Sequence, residues 1–198
     1  MKRLFLALLA VSILSFAFFL VFFRDSYLYD GALHLGILSL AMFFLWKKDL
    51  ATTLKSIGFP GSARTAVIYT IGGLFAVFAL LFALGVASLY FGFNDQANVT
   101  MKLAGLPLYI LALAVVFAPL TEELLFRALL VPRVGVVLSS LIFGALHLAY
   151  GSVVEVVGVT LVGVVLAIVY QRSKSITPCI LVHLIYNLLS IAALRFFG

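Results

Sequence analysis

Thr121-Glu122-Glu123-Leu124-Leu125-Phe126-Arg127 sets three formal charges inside an apolar stretch of the chain. A charge at the middle of a bilayer costs about 2.5–3.5 kcal/mol, so three of them in one segment need a reason. Glu123 and Arg127 are four residues apart, share one face of a helix and can neutralise each other. Glu122 points about 100° away and has no partner close in sequence. An intramembrane acid left without a local partner marks a functional site.

The surroundings of this segment decide the fold class. The 198 residues are 65% hydrophobic and 10% charged, with a mean hydropathy of +1.28, against about 25% charged in soluble domains. Several apolar runs reach the roughly 20 residues a helix needs to cross the hydrocarbon layer. They are continuous rather than alternating, which excludes a lipid-exposed β-barrel. The expected fold is therefore all-α, a polytopic transmembrane bundle of about seven spans. The net charge of +6 comes from 13 basic residues scattered over short loops. No aromatic-interleaved basic face exists, so nucleic acid is not an expected partner. The single cysteine, Cys179, reads as buried filler.

The spans are expected at residues 4–23, 27–46, 66–90, 106–131, 134–150, 152–171 and 176–197. The first is too long for the apolar core of a signal peptide and lacks a small-x-small cleavage site, so it reads as an uncleaved anchor. Residues 47–64 form a basic loop with a turn at Gly58-Phe59-Pro60-Gly61 and a short surface helix. A cytoplasmic amino terminus puts Lys2, Arg3, Lys47, Lys48, Lys55, Arg64, Arg133, Arg172 and Lys174 inside, against Arg24, Lys102 and Arg195 outside, as the positive-inside rule favours. Gly135, Gly144, Gly158 and Gly163 are expected to permit close helix approach in lipid. The chain divides into an amino-terminal part, 1–105, and a carboxy-terminal core, 106–198.

Two further spans carry polar pairs at a four-residue spacing: Phe143 with His147, and His183 with Asn187. At 1.5 Å per residue, Glu122, His147, His183 and Asn187 lie about 15, 20, 11 and 16 Å from the cytoplasmic ends of their spans. One depth band holds all four. His34, about 18 Å from Trp46, falls in the same band and is a further candidate for lining the cavity, although a lone intramembrane histidine is commonly a satisfied polar knob. Pro119 removes a backbone hydrogen bond one turn before the acidic pair and should bend or open the helix. The alternative is a helix that restarts with Thr121 as its N-cap.

Glu-Glu-x-x-x-Arg, then Phe-x-x-x-His, then His-x-x-x-Asn on successive membrane helices resembles the CPBP intramembrane protease family, which comprises the CAAX prenyl endopeptidases and the Abi-type bacteriocin-processing proteins. The likeness covers residues 107–189 and departs at none of the motif positions. It implies an integral-membrane endopeptidase, expected in a prokaryotic plasma membrane among its lipids, acting on a peptide or protein substrate that is prenylated in one branch of the family.

Elementary chemistry allots matching roles. Glu122 takes the proton from water, His147 holds and polarises that water, and His183 with Asn187 donates to the oxyanion. Glu123, Arg127 and Phe143 support them. A zinc ion held by Glu122, His147 and His183, with water in the fourth position, is the metal-dependent alternative. No His-Glu-x-x-His segment decides between the two. A catalytically silent immunity or scaffolding protein of the same fold, and a proton-coupled transporter, are the competing functions.

Overall fold

The computed structural model describes residues 28–93 and 95–197, and every regular element among them is helical. In chain order these are α1 (Leu28–Leu45), α2 (Leu50–Ser56), α3 (Ala63–Tyr90), α4 (Ala97–Ala104), α5 (Leu108–Glu123), a π-helical segment π1 (Leu124–Leu130), α6 (Val131–Leu146), a 3-10 turn (His147–Tyr150), α7 (Val153–Ser173) and α8 (Thr177–Phe197). The span expected at 4–23 lies outside the described residues.

Among the described residues four helical runs are long and apolar enough to cross a bilayer: Ala63–Tyr90, Leu108–Tyr150, Val153–Ser173 and Thr177–Arg195; Gly31–Leu45 is a shorter apolar helix. Phe75, Phe82 and Leu89 on α3 are each at least 75% exposed. Side chains of this kind are at home only against hydrocarbon, and the protein is an integral membrane protein.

The 43-residue run Leu108–Tyr150 would reach about 65 Å if straight. It does not. Gly135 takes φ 81° and ψ 175° in its middle, and the rings of Phe126 and Phe143 from either side of it lie 4.9 Å apart. The run is therefore two antiparallel helices joined at Gly135, as the fourth and fifth expected spans require. Gly135 was expected to serve helix packing, but a Cβ there would meet nothing within 4 Å. Its backbone angle is the reason for glycine.

Close approach is carried by the other glycines. A Cβ on Gly144 would overlap Thr160 Oγ1 and stand 3.0 Å from the Val156 carbonyl oxygen, and one on Gly163 would stand 3.1 Å from Ser140 Cβ, so α6 and α7 touch almost backbone to backbone. Gly158 meets Leu81 and Leu84 of α3, and Gly73 of α3 meets Val182 of α8. Around these contacts Val77, Val162, Leu166, Cys179 and Val182 form one apolar cluster, with Cys179 fully buried.

The loops cluster at two ends of the bundle. At one end the Ser175 hydroxyl donates to the Gly58 carbonyl at 2.7 Å, Ile176 N–H to the Ile57 carbonyl, and Gly61 N–H to Thr177 Oγ1. The basic loop 47–64 is thereby stitched to the turn after α7, next to Arg172 in the last turn of that helix and Lys174 at its cap. Asp49 caps α2 by accepting from Thr52 N–H, which holds its carboxyl below the usual range. At the other end Asp95 accepts from the Ser152 hydroxyl and Val153 N–H at the start of α7, Asn98 donates to the Gly151 carbonyl, and Lys102 to the Ala149 carbonyl. The Ser152 bond chiefly keeps the Asp95 carboxyl below its usual value. This clamp fastens the turn that begins at His147.

Candidate active site

The helix runs through Pro119 without a break, from Leu108 to Glu123. Thr121 is consequently an interior residue, and its restart as an N-cap does not occur: its hydroxyl donates backward to the Ala118 carbonyl at 3.0 Å, with the Phe117 carbonyl at 3.3 Å. Directly after Glu123 the winding widens to the π form over Leu124–Leu130. Such widened turns carry an offset that re-aims the side chains following them.

Glu123 and Arg127 are buried, at 0% and 1% exposure. Arg127 Nε stands 3.0 Å from Glu123 Oε2, so the arginine pairs with the glutamate and does not snorkel to the interface. The other oxygen of Glu123 receives the Nδ1–H of His183 at 2.8 Å. Arg127 lays its guanidinium 4.4 Å from the centre of the Phe143 ring, a cation–π contact that replaces lost hydration in part. Phe143 is a hub. Its ring also lies edge-on to Phe126, His147 and His183 at 4.9, 5.1 and 5.9 Å, holding the two imidazoles apart at a set spacing.

Glu122 faces the other way and is placed differently. Its side chain is 14% exposed, with Oε2 at 3.7 Å from His183 Nε2 and Oε1 at 4.0 Å from His34 Nε2. Both separations exceed a direct hydrogen bond. Two imidazoles, His34 and His183, flank Glu122 and a third, His147, stands behind Phe143; each has its Nδ1 occupied. His34 bonds to Thr121 Oγ1 at 2.9 Å, His147 to the Phe143 carbonyl at 2.9 Å, and His183 to Glu123. For His147 and His183, whose partners can only accept, the neutral ring leaves Nε2 as a bare acceptor.

Of the residues singled out from sequence, Glu122, Glu123, Arg127, Phe143 and His183 share one contact network, and His147 joins it through Phe143. Asn187 is tied elsewhere: its amide donates to the Ala114 carbonyl at 3.0 Å, bridging α8 to α5. One of its two N–H groups remains for other use. The zinc alternative finds no ready frame. Among the described residues no three His, Cys, Asp or Glu side chains are spaced to hold a metal ion, and Glu122, His147 and His183 are not such a set.

Two features were beyond the sequence reading. The hydrogen bond of His34 to Thr121 links residues 87 apart in the chain, and only the shared depth of His34 and Glu122 hinted at it. The π segment has no composition of its own; Leu-Leu-Phe-Arg-Ala-Leu-Leu reads as an ordinary helix.

A protein-family model described as type II CAAX prenyl endopeptidase Rce1-like matches residues 104–189. No curated protein and no solved structure matches the chain. The matched region holds Glu122, Glu123, Arg127, Phe143, His147, His183 and Asn187.

Proposed function

We propose that the protein, whose residues 104–189 match the type II CAAX prenyl endopeptidase Rce1-like family model, hydrolyses a peptide bond near the carboxy terminus of a membrane-associated substrate, with Glu122 as the general base. The observation that supports this reading is the contrast in partners between neighbouring glutamates: Glu123 is consumed by Arg127 and His183, whereas Glu122 is 14% exposed and has no direct hydrogen bond among the described residues.

In the proposed reaction Glu122 removes a proton from water as the water oxygen attacks the scissile carbonyl carbon. His147 offers a bare Nε2 to the water's other hydrogen. The tetrahedral oxyanion receives the second N–H of Asn187 and an N–H from the imidazolium form of His183, whose Nδ1–H stays on Glu123. Two carboxylates, one guanidinium and one imidazolium then sum to zero charge inside the bundle. The intermediate collapses with cleavage of the C–N bond, and the proton on Glu122 passes to the departing amine. Phe143 and the Glu123–Arg127 pair hold the donors in place. Zinc enters no step here.

Purified protein in liposomes, given a fluorogenic CAAX peptide with and without a prenyl group, tests the proposal. Cleavage by wild-type protein and its loss in E122Q are expected. Wild-type protein that leaves both peptides intact sinks the reading. Faster cleavage of the prenylated peptide would assign the substrate branch, and loss of activity on chelation with recovery on adding zinc would overturn the metal-free steps.

A further inference from the structure

We propose that His34, which lies on α1 outside the family-matched region, is a positioning residue for Glu122, and that Thr121 acts only through it. The inference rests on the peptidase reading above. His34 is held from three sides by residues within about a turn and a half of α5: the Phe117 ring meets it edge-on at 6.2 Å, Thr121 Oγ1 lies 2.9 Å from Nδ1, and Glu122 Oε1 lies 4.0 Å from Nε2.

In the proposed couple Thr121 gives its hydrogen to the Ala118 carbonyl at 3.0 Å and accepts from His34 Nδ1 at 2.9 Å. His34 therefore carries its proton on Nδ1, and its Nε2 lone pair faces a carboxylate oxygen. Two acceptors facing each other repel unless a donor joins them. A water with two bonds of about 2.8 Å to acceptors at this separation would open an angle of about 90°, near its own bond angle. In the proposed couple a bridging water would donate one hydrogen to His34 Nε2 and one to Glu122 Oε1, which stand 4.0 Å apart.

This arrangement fixes one oxygen of the base on the α1 side and leaves Oε2 turned toward His183 at 3.7 Å, where the reacting groups converge. Thr121 is fully buried and His34 is 16% exposed, so the couple is braced at its inner end and reaches the accessible carboxylate at its outer end. The amino-terminal half thereby supplies a member of the site.

The test is a double-mutant cycle on turnover. Asparagine reproduces the Nδ1 donor without any group at Nε2, so H34N keeps the bond to Thr121 and loses the one to Glu122. Its kcat should fall about tenfold to a hundredfold with KM and melting temperature unchanged. T121V, isosteric but unable to accept, should lower kcat by a smaller factor, and T121S should restore it. The H34N/T121V double variant should be no slower than H34N, because Thr121 has no route to the base except through His34. Wild-type kcat in H34N, or losses that multiply in the double variant, overturns the proposal. The imidazole 15N resonances of His34 read the contact without turnover: E122Q should move the Nε2 signal, and an unmoved signal also overturns it. Wild-type protein that cleaves nothing while E122Q still moves that signal would reject the peptidase reading and retain the His34–Glu122 couple.

Discussion

Two adjacent glutamates occupy opposite situations in this bundle. Glu123 is sealed, with an arginine at 3.0 Å and an imidazole at 2.8 Å, whereas Glu122 is 14% exposed and has imidazole nitrogens at 3.7 and 4.0 Å. One residue type does two jobs because helical geometry sends consecutive side chains to different faces, and the neighbours on each face decide what the carboxylate can do. The closed face spends its charge on holding helices together. The open face keeps its charge available for chemistry.

Substitutions at the two positions should separate these roles. E122Q is expected to lower kcat by about a thousandfold or more, at the upper end of what removing a general base costs, while the melting temperature in detergent stays at the wild-type value. A parallel loss of folding would erase the contrast. E123Q should act on stability first: breaking one member of a buried ion pair costs about 3–5 kcal/mol, read as a large fall in melting temperature and in membrane-inserted yield. An E123Q protein as stable as wild type, with only its turnover reduced, would show that both faces serve catalysis.

The same distinction extends to packing. G144V pushes a side chain into Thr160 and the Val156 backbone, where overpacking costs about 1–3 kcal/mol. Because α6 also carries Phe143, kcat should fall together with stability. Unchanged turnover in a destabilised G144V would uncouple Phe143 from the spacing of His147 and His183.

The smallest expected effect lies outside the membrane at Asp95. Its carboxyl sits below the ordinary value of 3.8 in the folded protein because it accepts from Ser152. Its contribution to stability is therefore complete above about pH 4 and is lost as pH falls through the lowered folded value. Wild-type melting temperature should drop on acidification below that point, and D95N should show a shallower drop. Parallel curves would remove Asp95 from the clamp on the turn that starts at His147.

Much of this contrast is legible in the chain itself, for a physical reason. Charges are so costly in hydrocarbon that Glu122, Glu123, Arg127, His147 and His183 stand out against it, and the four-residue spacing of Glu123 and Arg127 already states their pairing. The doubling back between the fourth and fifth spans is likewise foreshadowed by their lengths. Contacts between remote segments are not encoded this way. Asn187 bonding to Ala114 and His34 bonding to Thr121 depend on how α8 and α1 rotate against α5. The use of Gly135 as a hinge in the chain and not as a packing surface depends on a backbone angle. The span expected at 4–23 lies beyond the described residues.

The π winding of Leu124–Leu130 carries a consequence for how this segment can change. Wide turns behave as a regular helix with surplus chain accommodated inside it. Deleting one residue there would let the backbone relax into an ordinary rod with better-aligned bonds, and it would swing the arginine end of the segment away from Glu123 and Phe143. In this stretch the tidier helix would be the inert one.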